Sequence, residues 1–289
     1  NLIGRCFEMP YVSYCHTLPP IIMKENLIKL FDRFGINTEN NKILSDFLNR
    51  INGNNELLKK QYELFLMDLI LGLNIIKEKD ENSFKRYVKS LNSTKGNENF
   101  WGERFEVYMH SKLLKINSNI IKNLKRGIDG LEPDLLFNFN ETLLGIELTT
   151  LKFVKPPQTP EIILSKITDK ILEKNSNPYA KENCALIIDI TNIIAYGKLL
   201  NISLNDLFRN SFVGFDYLEK EIGFGVIILC NSVFKTKSDN SLFHSLIPRI
   251  GLCHEKKQMN IDLQHFLEIT FNHFEQDDDY EQAFYHKNI

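Results

Sequence analysis

The stretch LEPDLLFNFNETLLGIELTTLKF, residues 131–153, limits the possible folds of this chain more than any other. Two apolar runs joined by Asn138-Phe139-Asn140-Glu141 read as a β-hairpin. Each run carries an acid where a hydrophobic residue is expected: Asp134 at the start of the first and Glu147 inside the second. A two-residue turn at Asn140-Glu141 and a four-residue loop over 139–142 give the same register, and in it Asp134 stands opposite Glu147. Opposed residues of an antiparallel pair have Cβ atoms roughly 4.5–5.5 Å apart, and like charges placed so repel. A divalent cation between them resolves the conflict. Two carboxylates and several waters suit Mg2+ or Mn2+. The competing reading is a half-exposed sheet in which Asp134 caps a strand end and Glu147 faces solvent.

A third acid comes from the segment before the hairpin. On a helical wheel of residues 101–114, Trp101, Phe105, Tyr108, Met109 and Leu113 form one apolar face. Glu106 lies at its edge beside Leu113, whereas Glu103 lies further round, near His110. Glu106 is therefore the acid expected to reach the sheet and join Asp134 and Glu147 around a metal.

The rest of the chain divides by pattern. Residues 1–95 read as a helical N-terminal region, with three-to-four apolar spacing over 21–34, 42–51, 56–77 and 83–91. From 96 to 289 helices and strands alternate. A helix is expected over 98–115, strands over 135–139 and 143–151, a prolyl break at Pro156, Pro157 and Pro160, and a helix over 162–174. Buried strands follow at 184–190 (CALIIDI) and 224–230, with short helices over 204–210 and 217–221 between them and a helical tail over 263–284. This order is that of an α/β protein with a mixed sheet flanked by helices.

Composition narrows the setting. The formal net charge of −2 does not by itself point to nucleic acid or membrane. The most apolar window, 62–76, is too short to span a bilayer and contains Glu63 and Asp68. Five widely spaced cysteines without a CxxC pair, and no visible signal-peptide pattern, lead to the expectation of reduced thiols in the cytoplasm. A zinc site from Cys6, Cys15, Cys253 and His254 matches no usual spacing. Local charge is more informative. Residues 108–128 hold Lys112, Lys115, Lys122, Lys125 and Arg126 and no acid. The stretch leads from the Glu106 helix into the hairpin, so Lys122, Lys125 and Arg126 are expected to hold a nucleic-acid backbone.

GERFEVYMHSKLL, GIDGLEPDLLF and GIELTTLKF, followed by a helix and the strand ALIIDI, together resemble the PD-(D/E)xK nuclease superfamily over roughly residues 97–231. The resemblance matches Glu106 to the helix glutamate, Pro133-Asp134 to the Pro-Asp pair and Glu147 to the acid of the last signature element. It implies a restriction-endonuclease-like fold with a four-stranded mixed sheet and Mg2+-dependent phosphodiester hydrolysis. The protein would then be a DNA endonuclease of restriction or phage-defence type. Cutting both strands of a duplex would favour a homodimer.

The family pattern places a lysine two residues after the last acid, and Thr149 stands there instead. Thr149 shares a face with Glu147 and can orient a water, but it carries no cation. Lys152 is the expected substitute if the chain bends before Pro156-Pro157, ahead of Lys166, which shares a helix face with Lys170; Lys155 lies too far along. The catalytic set read from the sequence is thus Glu106, Asp134, Glu147, Thr149 and Lys152. The alternative is a catalytically silent nucleic-acid-binding module of the same fold.

Overall fold

In the computed structural model the described residues are 24–51, 56–93, 96–116, 119–152, 157, 159–191, 193, 220–237, 242–254, 256–276 and 280–283. The helices expected over 204–210 and over most of 217–221 lie outside them, as do Cys6 and Cys15.

The N-terminal helices are α1 (Lys24–Arg33), α2 (Lys42–Arg50), α3 (Glu56–Lys79) and α4 (Glu81–Asn92). Two of them start on side-chain caps: Asn41 accepts from the Leu44 amide and Asp80 from the Ser83 amide. α5 (Gly96–Lys115) follows, then β1 (Ile121–Arg126), β2 (Leu135–Phe139), β3 (Thr142–Thr150), α6 (Pro160–Asn175), β4 (Cys184–Asp189), β5 (Val226–Lys237), β6 (Leu242–Leu252), α7 (Ile261–Gln276) and β7 (Tyr280–Ala283). The seven-stranded sheet runs β1-β2-β3-β4-β5-β6, with β7 on β5. β3, β4 and β5 are mutually parallel and the other pairings are antiparallel.

The mixed α/β sheet expected from the sequence is present, with more strands than the resemblance implies. β1 was not foreseen because four of its six residues, IKNLKR, are polar and three are exposed. It is an edge strand, where charge and irregularity discourage further pairing. It carries a register shift between Lys122 and Lys125, with Asn123 at φ 54°. The expected helical tail is corrected at its end: α7 stops at Gln276, and residues 280–283 pair with β5 as a strand.

Two apolar cores flank the sheet and a third lies among the N-terminal helices. Ile146, Leu148, Ala185 and Ile187 pack with Phe105, Met109 and Leu113 of α5 and with Phe266 of α7. The opposite face, Leu186, Ile188 and Leu229, packs on Ile163, Ile167 and Ile171 of α6. The third core joins α1–α4 to Phe100 and Val107, again from α5. α5 is therefore buried on two sides, which corrects the single apolar face drawn for it: Trp101 packs with the helical core, and Glu103 is only 8% exposed. The boundary placed at residue 95 separates two regions that share this helix.

Candidate active site

The hairpin has the expected register. Leu135 pairs with Ile146 and Phe139 with Thr142, which sets Asp134 beside Glu147. The turn is Asn140-Glu141, with φ of 47° and 67°, the left-handed pair of a type I′ turn. Asp262 of α7 anchors it by accepting from Asn140 Nδ2 at 3.2 Å and Thr142 Oγ1 at 2.5 Å. Pro133-Asp134 then comes close to β3. The approach depends on Gly145, where a Cβ would lie 2.7 Å from Pro133 Cγ and 2.6 Å from Cys184 Sγ. Asp134 Oδ2 accepts the Leu148 N–H at 2.7 Å, and the Gly127 amide donates to the Asp134 carbonyl at 2.9 Å. Burial, and then the charge of Glu147, push the Asp134 carboxyl up to about 7; the Leu148 hydrogen bond, Lys174 and Arg126 oppose the rise.

Glu147 lies on the α6 side of the sheet, paired in register with Leu186 and 2% exposed. Its Oε1 accepts from Lys174 Nζ at 2.5 Å. This lysine, in the last turn of α6, is the cation that sequence reading placed at Lys152. β3 continues to bond regularly through Leu151, whose amide donates to the Asp189 carbonyl. The expected bend is thus absent up to that point, and strand alternation sets Lys152 on the face opposite Glu147. Lys166 lies two helical turns before Lys174, about 12 Å along the axis. Burial alone would lower the Lys174 ammonium, but Glu147, through charge and hydrogen bond, and Asp134 together raise it above the ordinary lysine range. It remains a cation at neutral pH.

Glu147 Oε2 is buried without a hydrogen bond of ordinary geometry among the described residues, although the Tyr179 hydroxyl lies close enough to interact with the carboxylate. Tyr179, whose hydroxyl accepts from Asn177 Nδ2 at 2.9 Å, lies on the same side; burial, the charge of Glu147 and a hydrogen-bonding interaction with that carboxylate hold its phenol well above the usual range. Thr149 shares this face of β3, half-buried opposite Ile188. Sequence reading missed Tyr179 and Lys174. A signal for Lys174 existed: it extends the core-facing stripe Ile163, Ile167, Ile171 by one more turn.

The other side of Asp134 is closed differently. Arg126 Nε donates to Glu106 Oε2 at 3.0 Å, and Arg126 Nη2 pairs with Glu103 at 3.3 Å. Ser90 Oγ also donates to Glu103 at 2.6 Å. Arg126 was expected to hold a nucleic-acid backbone. That role is corrected: its side chain is 7% exposed and its guanidinium sits 4.5 Å from the centre of the Tyr87 ring. The register shift in β1 turns it inward. Lys122 stays exposed, and Lys125, at 58% side-chain exposure, meets Glu132 at 3.4 Å. Burial, then Asp134 and Glu103, push Glu106 well above the usual carboxylate range against the pull of Arg126.

The arrangement fits a hard cation on one side only. Asp134 and the loosely held oxygen of Glu147 offer neighbouring carboxylate oxygens, as Mg2+ or Mn2+ with retained waters requires. Glu106, committed to Arg126, does not complete a third ligand. No group of three or more His, Cys, Asp or Glu side chains converges as a metal site among the described residues. Comparison of the chain with protein-family models, with curated proteins and with solved structures finds no match. No helix among the described residues is long and apolar enough to cross a membrane.

Proposed function

We propose that the chain is a divalent-metal-dependent nuclease with a restriction-endonuclease-like core, acting on DNA through Asp134, Glu147 and Lys174. The observation that carries this reading is the Lys174–Glu147 contact beside Asp134. The acid pair and the lysine absent at Thr149 meet again, with the lysine supplied by α6.

Asp134 and Glu147 would hold Mg2+ or Mn2+. Bound there, the ion would supply a water of lowered pKa and positive charge toward a phosphate oxygen. Lys174 serves as a fixed positive charge, because its proton is held too tightly for general-base work. Its ammonium orients the attacking water or stabilises the phosphate, and the Thr149 hydroxyl provides a further hydrogen bond on that face. Lys122 and Lys125 on the exposed edge strand β1 contact backbone phosphates without reading sequence. Cleavage of both strands at once would call for two copies of the chain. The free thiols of Cys184 and Cys230 are in keeping with a reducing cytoplasm.

The test is purified protein with supercoiled plasmid in Mg2+, in Mn2+ and in EDTA, followed by gel electrophoresis. Cleavage with either ion and none in EDTA supports the reading. Salt-sensitive binding without cleavage in any condition would replace it with the silent-module reading.

A further inference from the structure

The carboxylates near Asp134 are not equally available. Glu106 Oε2 accepts a hydrogen bond from Arg126 Nε at 3.0 Å and lies 2.9 Å from Nη2 in the same ion pair. Glu103 takes Nη2 as well, and Tyr87 covers the guanidinium face. The main chain of Arg126 is tied too: its carbonyl accepts from Arg86 Nη1 at 3.2 Å and it pairs with Leu135 in the sheet. With 7% of its side chain exposed, Arg126 has no open path away from the two acids. Glu147, by contrast, keeps a buried oxygen without a well-formed hydrogen bond among the described residues, with the Tyr179 hydroxyl as its neighbour.

Charge leads the same way. Among the described residues, the cations that meet Glu103, Glu106, Asp134 and Glu147 are Arg126 and Lys174. Arg126 is held by Glu103 and Glu106, so a divalent ion has Asp134 and Glu147 left to bind. A second would have to displace Arg126 from Glu106, and breaking a buried ion pair is strongly unfavourable.

We infer that Arg126 makes this a one-cation site: it locks Glu106 and Glu103 into an internal ion pair, and a single divalent ion sits on Asp134 and Glu147. The inference rests on the metal-dependent reading above. Arg126 is here a positioning residue, setting how many ions the site accepts.

The test is titration of the full chain with Mn2+, following free ion by electron paramagnetic resonance. The expected result is one Mn2+ per chain. Loss of a ligand's partner weakens metal binding by about 10–100-fold and loss of a ligand by more, so Asp134→Asn loses at least about 100-fold and Glu106→Gln less than about tenfold. If Arg126→Met folds, it gains a second Mn2+ that the added Glu106→Gln removes. If it does not fold, Glu106→Gln decides alone. Two Mn2+ in the wild-type chain, or a tenfold or greater loss in Glu106→Gln, overturns the one-cation inference while leaving the metal-dependent reading standing. No Mn2+ bound by the wild-type chain overturns that reading itself, and the inference with it.

Discussion

Two acid–cation pairs flank Asp134, and they are built for opposite purposes. The Arg126 pair is sealed: a planar cation meets two carboxylates edge-on under an aromatic ring. The Lys174 pair is open-ended: a compact ammonium, 22% exposed, takes one oxygen of Glu147 and leaves the other without a well-formed hydrogen bond among the described residues. Arginine suits the first because its fork fixes geometry, and lysine suits the second because a point charge tolerates a changing partner. An acid with all its acceptors filled holds the fold. An acid with one left over can bind something.

The largest expected effect would break this contrast on the open side. Lys174→Ala should slow plasmid cleavage by about two to four orders of magnitude, the range for loss of one acid–base or charge-stabilising group. Lys152→Ala should cleave at close to the wild-type rate. A dead Lys152→Ala beside an active Lys174→Ala would return the cation to the strand.

On the sealed side the effect should appear in stability. Arg126→Met leaves Glu103 and Glu106 enclosed without a cation and should cost about 3–5 kcal/mol in urea unfolding. Lys174→Met should cost clearly less, because Asp134, already pushed up to about 7, can take a proton in response. Equal losses in the two variants would erase the proposed difference between the pairs.

A pH series would sharpen it further. The native carboxyl of Asp134 titrates at about 7, above its unfolded value of 3.8, so the native state holds the extra proton between them. Metal-free protein should therefore lose stability as pH rises from about 4 to about 7, by at most about 4 kcal/mol from this group. His110 works in the opposite direction. Burial, against the attraction of Asp80, pushes it down to about 4, so its contribution is present above 6.5 and fades as pH falls toward 4. The informative quantity is the difference between wild type and Asp134→Asn across that range, which should carry the Asp134 slope alone. A flat difference would show that Asp134 is ionised throughout.

The smallest effect lies at the hairpin turn, outside both pairs. Glu141 adopts φ 67°, where a side chain costs about 1–2 kcal/mol and glycine does not, although glycine loses some of that gain through chain entropy. Glu141→Gly should raise stability by roughly 0.5–1 kcal/mol with cleavage unchanged.

The sequence by itself determined whatever repeats at short range. Alternation fixed β2 and β3, the Asn140-Glu141 turn fixed their register, and the register placed Asp134 beside Glu147. The mixed sheet followed from apolar runs such as CALIID, buried over its whole length. Three matters were left to tertiary structure. α5 lies between a helical core and the sheet, so a one-sided wheel misjudged Trp101 and Glu103. Arg126 sits among lysines in the chain, but a shifted register turns it inward to two acids from a helix about twenty residues earlier. Lys174 stands 27 residues from Glu147, and only the crossover brings them together. β3 and β4 run parallel, so α6 must return along the sheet, and its last turn meets β3 through the Lys174–Glu147 contact. Short-range periodicity carries no information about where a returning helix ends, and that end is what puts the cation on Glu147.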